Sequence, residues 1–408
     1  MLSPLGLLFL QFSVLMLAAL AFGRIAKFLG QPAVIGEIAG GILIGPSLLG
    51  HCAPNLFAWL FPLQGEVVAA RETILKLGMA FFLFTAGLEV RMDALRTHWK
   101  AVTATGILGS ILPFGLGVAG VLTFPLFWKE DFCSETWTAF FIGTSLSISA
   151  IPVIARIFLD MNLMRTRLAS ITLGGAALSD LLGWVAFAVL LARHSNATIS
   201  TIMIVGRVIL FAVLFFAFGN SIAQPLLRLA RRSLKNTAGY LGFVCALVLL
   251  AGALAELAGI NAAFGTFLLG VSLAHGVKQD AETKVREIIT QFSVSFFAPL
   301  YFVSVGLRLD FGASMDWLLV LALLTLAIFG KVLGAGLGAR FAGIPWRESW
   351  AVGFALNARG AMMIVLASVA LDAGLIGARL FVALVSMALI TSILAGPALK
   401  WLVHNEYA

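Results

Sequence analysis

The sequence predicts an all-α polytopic membrane protein of about 13 transmembrane helices, arranged as inverted repeats with two broken helices. Three observations carry that expectation. Hydrophobic residues make up 61% of the 408 residues and charged ones 11%, which leaves hardly any soluble mass. Apolar runs of about 20 residues, the length that spans a bilayer's hydrocarbon core, recur from one end of the chain to the other. The loops between them are short, so residues 1–408 read as a single integral membrane domain without a linker.

In order, the runs are 4–28, 32–50, 67–88, 98–124, 136–158, 166–194, 198–226, 237–257, 260–277, 284–307, 315–341, 347–371 and 378–403. The first has no basic leading segment and no small-residue cleavage site, so it reads as a retained helix and not as a signal peptide. The fifth contains Gly143-Thr144-Ser145-Leu146-Ser147-Ile148-Ser149-Ala150-Ile151-Pro152, where hydroxyls crowd a mid-membrane stretch and Pro152 removes a backbone donor. The twelfth contains Gly353-Phe354-Ala355-Leu356-Asn357-Ala358-Arg359-Gly360, polar and glycine-flanked at the same depth. Unwound backbone is tolerated there only where protein or a water-filled cavity surrounds it. The two segments lie seven spans apart and are therefore inverted, the pattern of a transporter site built from inverted repeats. Ser/Thr packing and an ordinary proline kink explain either segment, but not both in register.

The charges orient the chain. Arg24, Lys27, Arg91, Arg96, Lys100, Arg156, Arg165, Arg167, Arg228, Arg231, Arg232, Lys235, Lys278, Lys284, Arg286, Arg340, Arg347 and Lys400 fall on one side of this topology; Arg71, Lys129, Arg193, Arg308 and Arg379 fall on the other. The positive-inside rule makes the rich side cytoplasmic, which places the N-terminus outside and the C-terminus inside. The net charge of +8 is thereby topogenic and does not point to nucleic acid. Residues Arg228 to Lys235 are placed to touch anionic lipid head groups, though an ordinary cytoplasmic loop also accounts for them. Cys52, Cys133 and Cys245 stand in no disulfide or zinc spacing.

Asp180 stands 14 residues from either end of the sixth run, about 20 Å from each boundary at a helical rise of about 1.5 Å per residue. That is too far to snorkel. A central Asp costs about 2.5–3.5 kcal/mol on insertion scales, and such residues usually serve an ion or proton pathway. Lys331, about halfway along the eleventh span, needs an anion or a neutral form, and Asp180 is one candidate partner. The bland readings belong to Glu37, taken as structural or dimer-related; to Arg207, near its helix end; to Lys76, four residues after Glu72 and expected to pair with it; and to Glu256 and the histidines, near the boundaries.

Several stretches then make a resemblance. They are Gln31-Pro32-Ala33-Val34-Ile35-Gly36-Glu37-Ile38 with Gly41-Ile42-Leu43-Ile44-Gly45-Pro46, Ala150-Ile151-Pro152-Val153-Ile154-Ala155-Arg156, Ser179-Asp180-Leu181-Leu182-Gly183-Trp184, Phe302-Val303-Ser304-Val305-Gly306-Leu307 and Lys331-Val332-Leu333-Gly334. In these the chain resembles the monovalent cation:proton antiporters of the CPA superfamily, in the branch with the Kef-type and NapA-type exchangers and the plant cation/H+ exchangers. The resemblance implies a NapA/NhaA-like fold with two crossed, broken helices and no enzyme activity or cofactor. It also implies a homodimer in a bacterial inner membrane, with core helices at about 98–194 and 315–403 moving like an elevator against dimerisation helices at about 4–88 and 198–307. Asp180 matches the family's essential carboxylate; Ser179 stands where many electrogenic relatives carry a second aspartate, and Lys331 matches the lysine of those same relatives. The chain ends without the nucleotide-binding domain of the Kef-type systems, which speaks against glutathione-gated potassium efflux.

A mechanism follows from competition for one group. A carboxylate in a small polar cavity holds a proton or a dehydrated cation but not both, because the cation favours ionisation. Thr144, Ser147 and Ser149 are hard oxygen donors suited to Na+ or K+, and Ser179 adds a neutral oxygen. Asn357 and Arg359, with Lys331, are expected to balance charge at the helix ends instead of touching the ion. Other classes stay open: a sodium-coupled symporter of an organic solute, a K+/H+ efflux system, and a gated channel or transport-dead scaffold.

Overall fold

A computed structural model describes residues 3–403 apart from 63, 90–97, 129–133, 162, 165, 196–199, 219–221, 223, 234–236 and 275–279. Arg91, Arg96, Lys129, Arg165, Lys235, Lys278, Cys133, His275 and His404 therefore lie outside the described residues. The principal helices are α1 (Pro4–Phe28), α2 (Ala33–Ile44), α3 (Glu66–Leu88), α4 (Trp99–Thr123), α5 (Glu135–Ser147), α6 (Ile151–Asp160) and α7 (Arg167–Ser195). They continue as α8 (Thr201–Phe218), α9 (Gln224–Ser233), α10 (Thr237–Leu257), α11 (Ala262–Leu273), α12 (Asp280–Phe292), α13 (Ala298–Gly306), α14 (Trp317–Phe341), α15 (Trp346–Leu356), α16 (Gly360–Asp372) and α17 (Ala378–Val403).

Among the described residues eight helices are long and apolar enough to cross a membrane, and nine if α15 and α16, bent by 40° at their break, count as one span. Three boundaries differ from the sequence expectation. The second run stops being helical after Ile44 and resumes as a short turn at Leu49–Cys52. The seventh ends at Phe218, and the basic residues after it open a separate amphipathic helix, α9, which carries Arg228, Arg231 and Arg232. The tenth is carried from α12 into α13 through a π-helical turn at Ser293–Phe297.

The chain divides into two compact units. One comprises Met1–Ile25, Gly36–Val90 and Leu191–Arg308. Its apolar core gathers Leu15, Ala19, Leu60, Phe61, Leu75, Leu300 and Val303. A Cβ on Gly41 would run into the Val303 carbonyl and one on Gly306 into the Ile38 carbonyl, so these glycines let α2 and α13 meet backbone to backbone. Glu72 pairs with Arg308 at 3.5 Å and not with Lys76, which is exposed. The helical spacing of Lys76 gave it only a flexible surface partner, and the tertiary contact with Arg308 prevails. Glu37 is 8% exposed.

The other unit comprises Ala26–Ile35, Arg91–Leu190 and Leu309–Ala408. Its α14 lies against α4 through Gly330, Gly334 and Gly338, four residues apart. A Cβ on any of them would strike the α4 backbone at Pro113, Leu108 or Ala104. In lipid, where no water drives helices together, such a small-residue stripe supplies the close van der Waals fit. It also fixes the depth and direction of Lys331, the residue after Gly330. At the start of α14 Asp316 caps the Leu318 and Leu319 N–H groups at 3.0 Å each. The same carboxylate accepts Arg379 of α17 at 2.8 Å.

Candidate functional site

Both broken helices belong to the second unit. α5 ends at Ser147 and α6 begins at Ile151, with Ile148 extended at φ −76° and ψ 146°. Pro152, in the first turn of α6, has no N–H to offer a preceding turn, so α5 cannot run on through it. In the second repeat α15 ends at Leu356 and α16 begins at Gly360. The two breaks cross and bond each other. The Ala150 N–H donates to the Ala358 carbonyl at 2.8 Å, and the Ser149 hydroxyl donates to the Leu356 carbonyl at 2.8 Å. Gly360 has φ +37°, and a Cβ there would come 2.6 Å from Val153. Its N–H is taken by the Ser392 hydroxyl of α17 at 2.9 Å.

Asp180, Lys331 and Arg359 are fully buried, and all three bond the first break. Asp180 Oδ1 accepts the Ser149 backbone N–H at 3.1 Å. Lys331 Nζ donates to the Ser147 carbonyl. Arg359 donates to the Ser145 carbonyl at 3.0 Å, the Ile148 carbonyl at 3.3 Å and the Ala327 carbonyl at 3.3 Å. The pattern is that of half-helix dipoles: cations sit on the carbonyls that end α5, and the carboxylate takes an N–H that precedes α6. No ion pair joins Lys331 to Asp180 among the described residues. Gly183, one turn beyond Asp180, leaves the space that Ile148 fills, which lets the unwound strand lie against α7.

The remaining candidate residues divide. Ser149 touches Asp180 through its N–H, and Ser147 holds Lys331 through its carbonyl. The Ser147 hydroxyl donates to the Ser110 carbonyl at 2.8 Å and the Gly143 carbonyl at 2.9 Å. Thr144 bonds back to the Phe140 carbonyl at 2.8 Å within its own helix. Ser179 turns to α4: it donates to the Gly106 carbonyl at 3.3 Å and accepts the Ser110 hydroxyl at 3.0 Å. Asn357 is 3% exposed, and its amide reaches no helix-end carbonyl; Oδ1 has no hydrogen-bond partner among the described residues. The bonds to the carbonyls at the end of α5 are made by Arg359, whose longer guanidinium also reaches the Ala327 carbonyl of α14, and not by Asn357.

Ser110, Ser392 and the carbonyls of Ser145, Ile148, Ala327 and Leu356 were not singled out from sequence. A lone intramembrane serine ordinarily bonds its own helix, and carbonyls carry no sequence signal.

Comparison with known proteins is consistent across sequence and structure. The family described as sodium/hydrogen exchanger, transmembrane, matches residues 13–405. Cation/H(+) antiporter 18 of Arabidopsis thaliana is 32% identical over 404 residues, 97% of this chain and 48% of that protein. The Na(+)/H(+) antiporter NhaS4 of Synechocystis is 31% identical over 377 residues, 90% of each chain. The chain spans about half the length of several curated relatives it matches. The structure of the sodium proton antiporter MjNhaP1 from Methanocaldococcus jannaschii superposes with a TM-score of 0.69 at 16% identity over the whole of both chains, so the two share a fold. With a match over nearly its full length, this chain belongs to the transmembrane sodium/hydrogen exchanger family.

Proposed function

We propose that this protein is a secondary active antiporter that exchanges a monovalent cation for protons, with Asp180 binding either one in competition. The observation that supports this most is the state of that carboxylate: fully buried, with Oδ1 held by the Ser149 N–H and Oδ2 without a hydrogen-bond partner among the described residues. One oxygen fixes the geometry and the other is open to a proton or an ion. Coupling then needs only exclusivity plus a high cost for moving the empty, charged site across the bilayer.

Na+ is favoured over K+ as the cation, in line with NhaS4 and MjNhaP1, both named for sodium/proton antiport. In this reading helices at about 98–194 and 315–403 form the moving core of an elevator. Helices at about 4–88 and 198–307 form a dimerisation scaffold, with the N-terminus outside and the C-terminus cytoplasmic. Lys331 and Arg359 balance helix ends, and Ser149, with Thr144, Ser147 and Ser179 around it, furnishes neutral oxygens.

The test is purified protein in liposomes carrying a pH-sensitive dye, challenged in turn with Na+, K+, Li+ and buffer alone. Cation-driven proton movement that is largest with Na+ is expected. Sodium uptake that depends on an organic solute, without proton movement, would replace this reading with a symporter; a response to K+ alone would make the protein a K+/H+ exchanger.

A further inference from the structure

We propose that the Asn357 side-chain amide is a ligand of the transported cation and sets the discrimination between Na+ and K+. The proposal rests on the antiporter reading above and adds to it a residue that the charge-balancing role does not explain. Buried polar groups in folded proteins are nearly always hydrogen-bonded, and an exception calls for a cause, of which an ion is one. Asn357 is such an exception. It is 3% exposed, and its Oδ1 has no hydrogen-bond partner among the described residues.

Its place is fixed from both sides. The Leu356 carbonyl takes the Ser149 hydroxyl, and the Ala358 carbonyl takes the Ala150 N–H. Ser149 in turn holds Asp180. Asn357 is therefore set at the same crossing as the carboxylate, one residue from a direct bond to Ser149.

Hydrogen bonding ranks the oxygens at the crossing. The carbonyls of Ser145, Ser147 and Ile148 are already bonded by Arg359 and Lys331. The hydroxyls of Thr144, Ser147 and Ser149 donate their protons to carbonyls, which orients their remaining lone pairs as auxiliary neutral oxygens. The oxygens there with no hydrogen-bond partner among the described residues are Asp180 Oδ2, Asn357 Oδ1 and Ser145 Oγ. All three are hard oxygens suited to an alkali cation. The amide adds a ligand without a second negative charge, and because it is carried on the end of α15 its distance from Asp180 is set by the helix crossing. That distance is what separates a smaller cation from a larger one.

The experiment compares the unchanged protein with Asn357→Leu, close in volume and without an oxygen, and with Asn357→Ala as a second variant. Initial rates of cation-driven proton movement in liposomes are measured against Na+ and K+ concentration at one pH. In parallel, the melting temperature of detergent-purified protein is measured against Na+ concentration, a binding readout that needs no transport. The expected result is at least about a tenfold rise in half-saturating Na+, a several-fold change in the Na+ to K+ ratio, and loss of the Na+-induced stabilisation. The cation-free melting temperature of Asn357→Leu is expected not to fall, because no hydrogen bond is lost. Unchanged half-saturation and unchanged ion ratio overturn the proposal, as does a fall in cation-free melting temperature as the only effect. If the unchanged protein moves no protons, the antiporter reading fails by itself. The thermal shift then decides on Asn357: stabilisation present in the unchanged protein and lost in the variant upholds the ligand, and none in either overturns it.

Discussion

Asp180 and Ser149 are joined by a 3.1 Å bond from the Ser149 backbone N–H to Oδ1, which ties the middle of α7 to the unwound approach to α6. The bond constrains what a mutation at Asp180 does. Asp180→Asn keeps an oxygen that accepts the same N–H, so expression and folding are expected to survive. It removes the ionisable oxygen on which proton and cation compete in the proposed mechanism. Cation-driven proton movement in liposomes is expected to fall to the level of protein-free vesicles. Exchange at the rate of the unchanged protein would sink the mechanism.

Lys331 tests a separate point. Its ammonium bonds the Ser147 carbonyl at the end of α5 and makes no ion pair with Asp180 among the described residues. A hydrogen bond to a charged group contributes about 1.5–3 kcal/mol, and leaving a buried carbonyl unmet costs a comparable amount. Lys331→Gln still offers a neutral N–H to that carbonyl, whereas Lys331→Met offers none. The melting temperature is expected to fall modestly for Gln and by several degrees more for Met. Lys331→Gln is expected to retain part of the exchange, with a shifted pH profile and apparent ion affinity. Equal stability of both variants and the unchanged protein, with an unchanged pH profile, would show that the lysine is not coupled to the site.

What the sequence made legible follows from cost. A carboxylate, a lysine and an arginine deep in apolar runs are expensive, so Asp180, Lys331 and Arg359 stood out by position alone. Pro152 and the glycines around Asn357 marked both breaks through backbone chemistry, and the inverted spacing joined them. What stayed hidden involves the backbone or common side chains. Ser179 looked like a site residue because it adjoins Asp180, yet successive helical residues point about 100° apart, and its hydroxyl faces Ser110 on α4. Ser110 itself is one serine among many. Glu72 was matched to Lys76 by spacing along one helix, although Arg308, over two hundred residues away, is its partner.

Asp316 gives a pH dependence of stability at the start of α14. The Leu319 N–H chiefly, with Arg379 and the Leu318 N–H behind it, holds this carboxyl below its ordinary 3.8. A carboxylate whose folded value is depressed contributes stability that is complete above its unfolded value and lost as pH falls through the folded one. Asp316→Asn keeps the cap but drops the charge, and the pair with Arg379 is partly exposed, so the effect is small: about 1–3 °C lower melting at pH 7. That gap is expected to close as the pH is taken below about 4. A gap that persists unchanged at pH 3 would assign the loss to packing instead of charge.

The stoichiometry can be tested at Ser179. One carboxylate that exchanges one proton for one monovalent cation moves no net charge, so the expected cycle is electroneutral at 1:1. The geometry supports a structural place for Ser179, whose hydroxyl is spent on Gly106 and Ser110. Ser179→Ala is therefore expected to cost about 1 kcal/mol of stability and to leave exchange running. Ser179→Asp would set a carboxyl against the Gly106 carbonyl, which only its protonated form bonds, in a buried place that favours the neutral acid over the charge. That carboxyl then stays out of the cycle and creates no current. The measurement is exchange in liposomes with and without a clamped membrane potential, together with current on a solid-supported membrane. A sustained cation-induced current in the unchanged protein, or a rate that follows the imposed potential, would refute the single-carboxylate count and point to Lys331 as a second proton carrier. A current that appears only in Ser179→Asp would show instead that the position before Asp180 sets the charge moved per cycle.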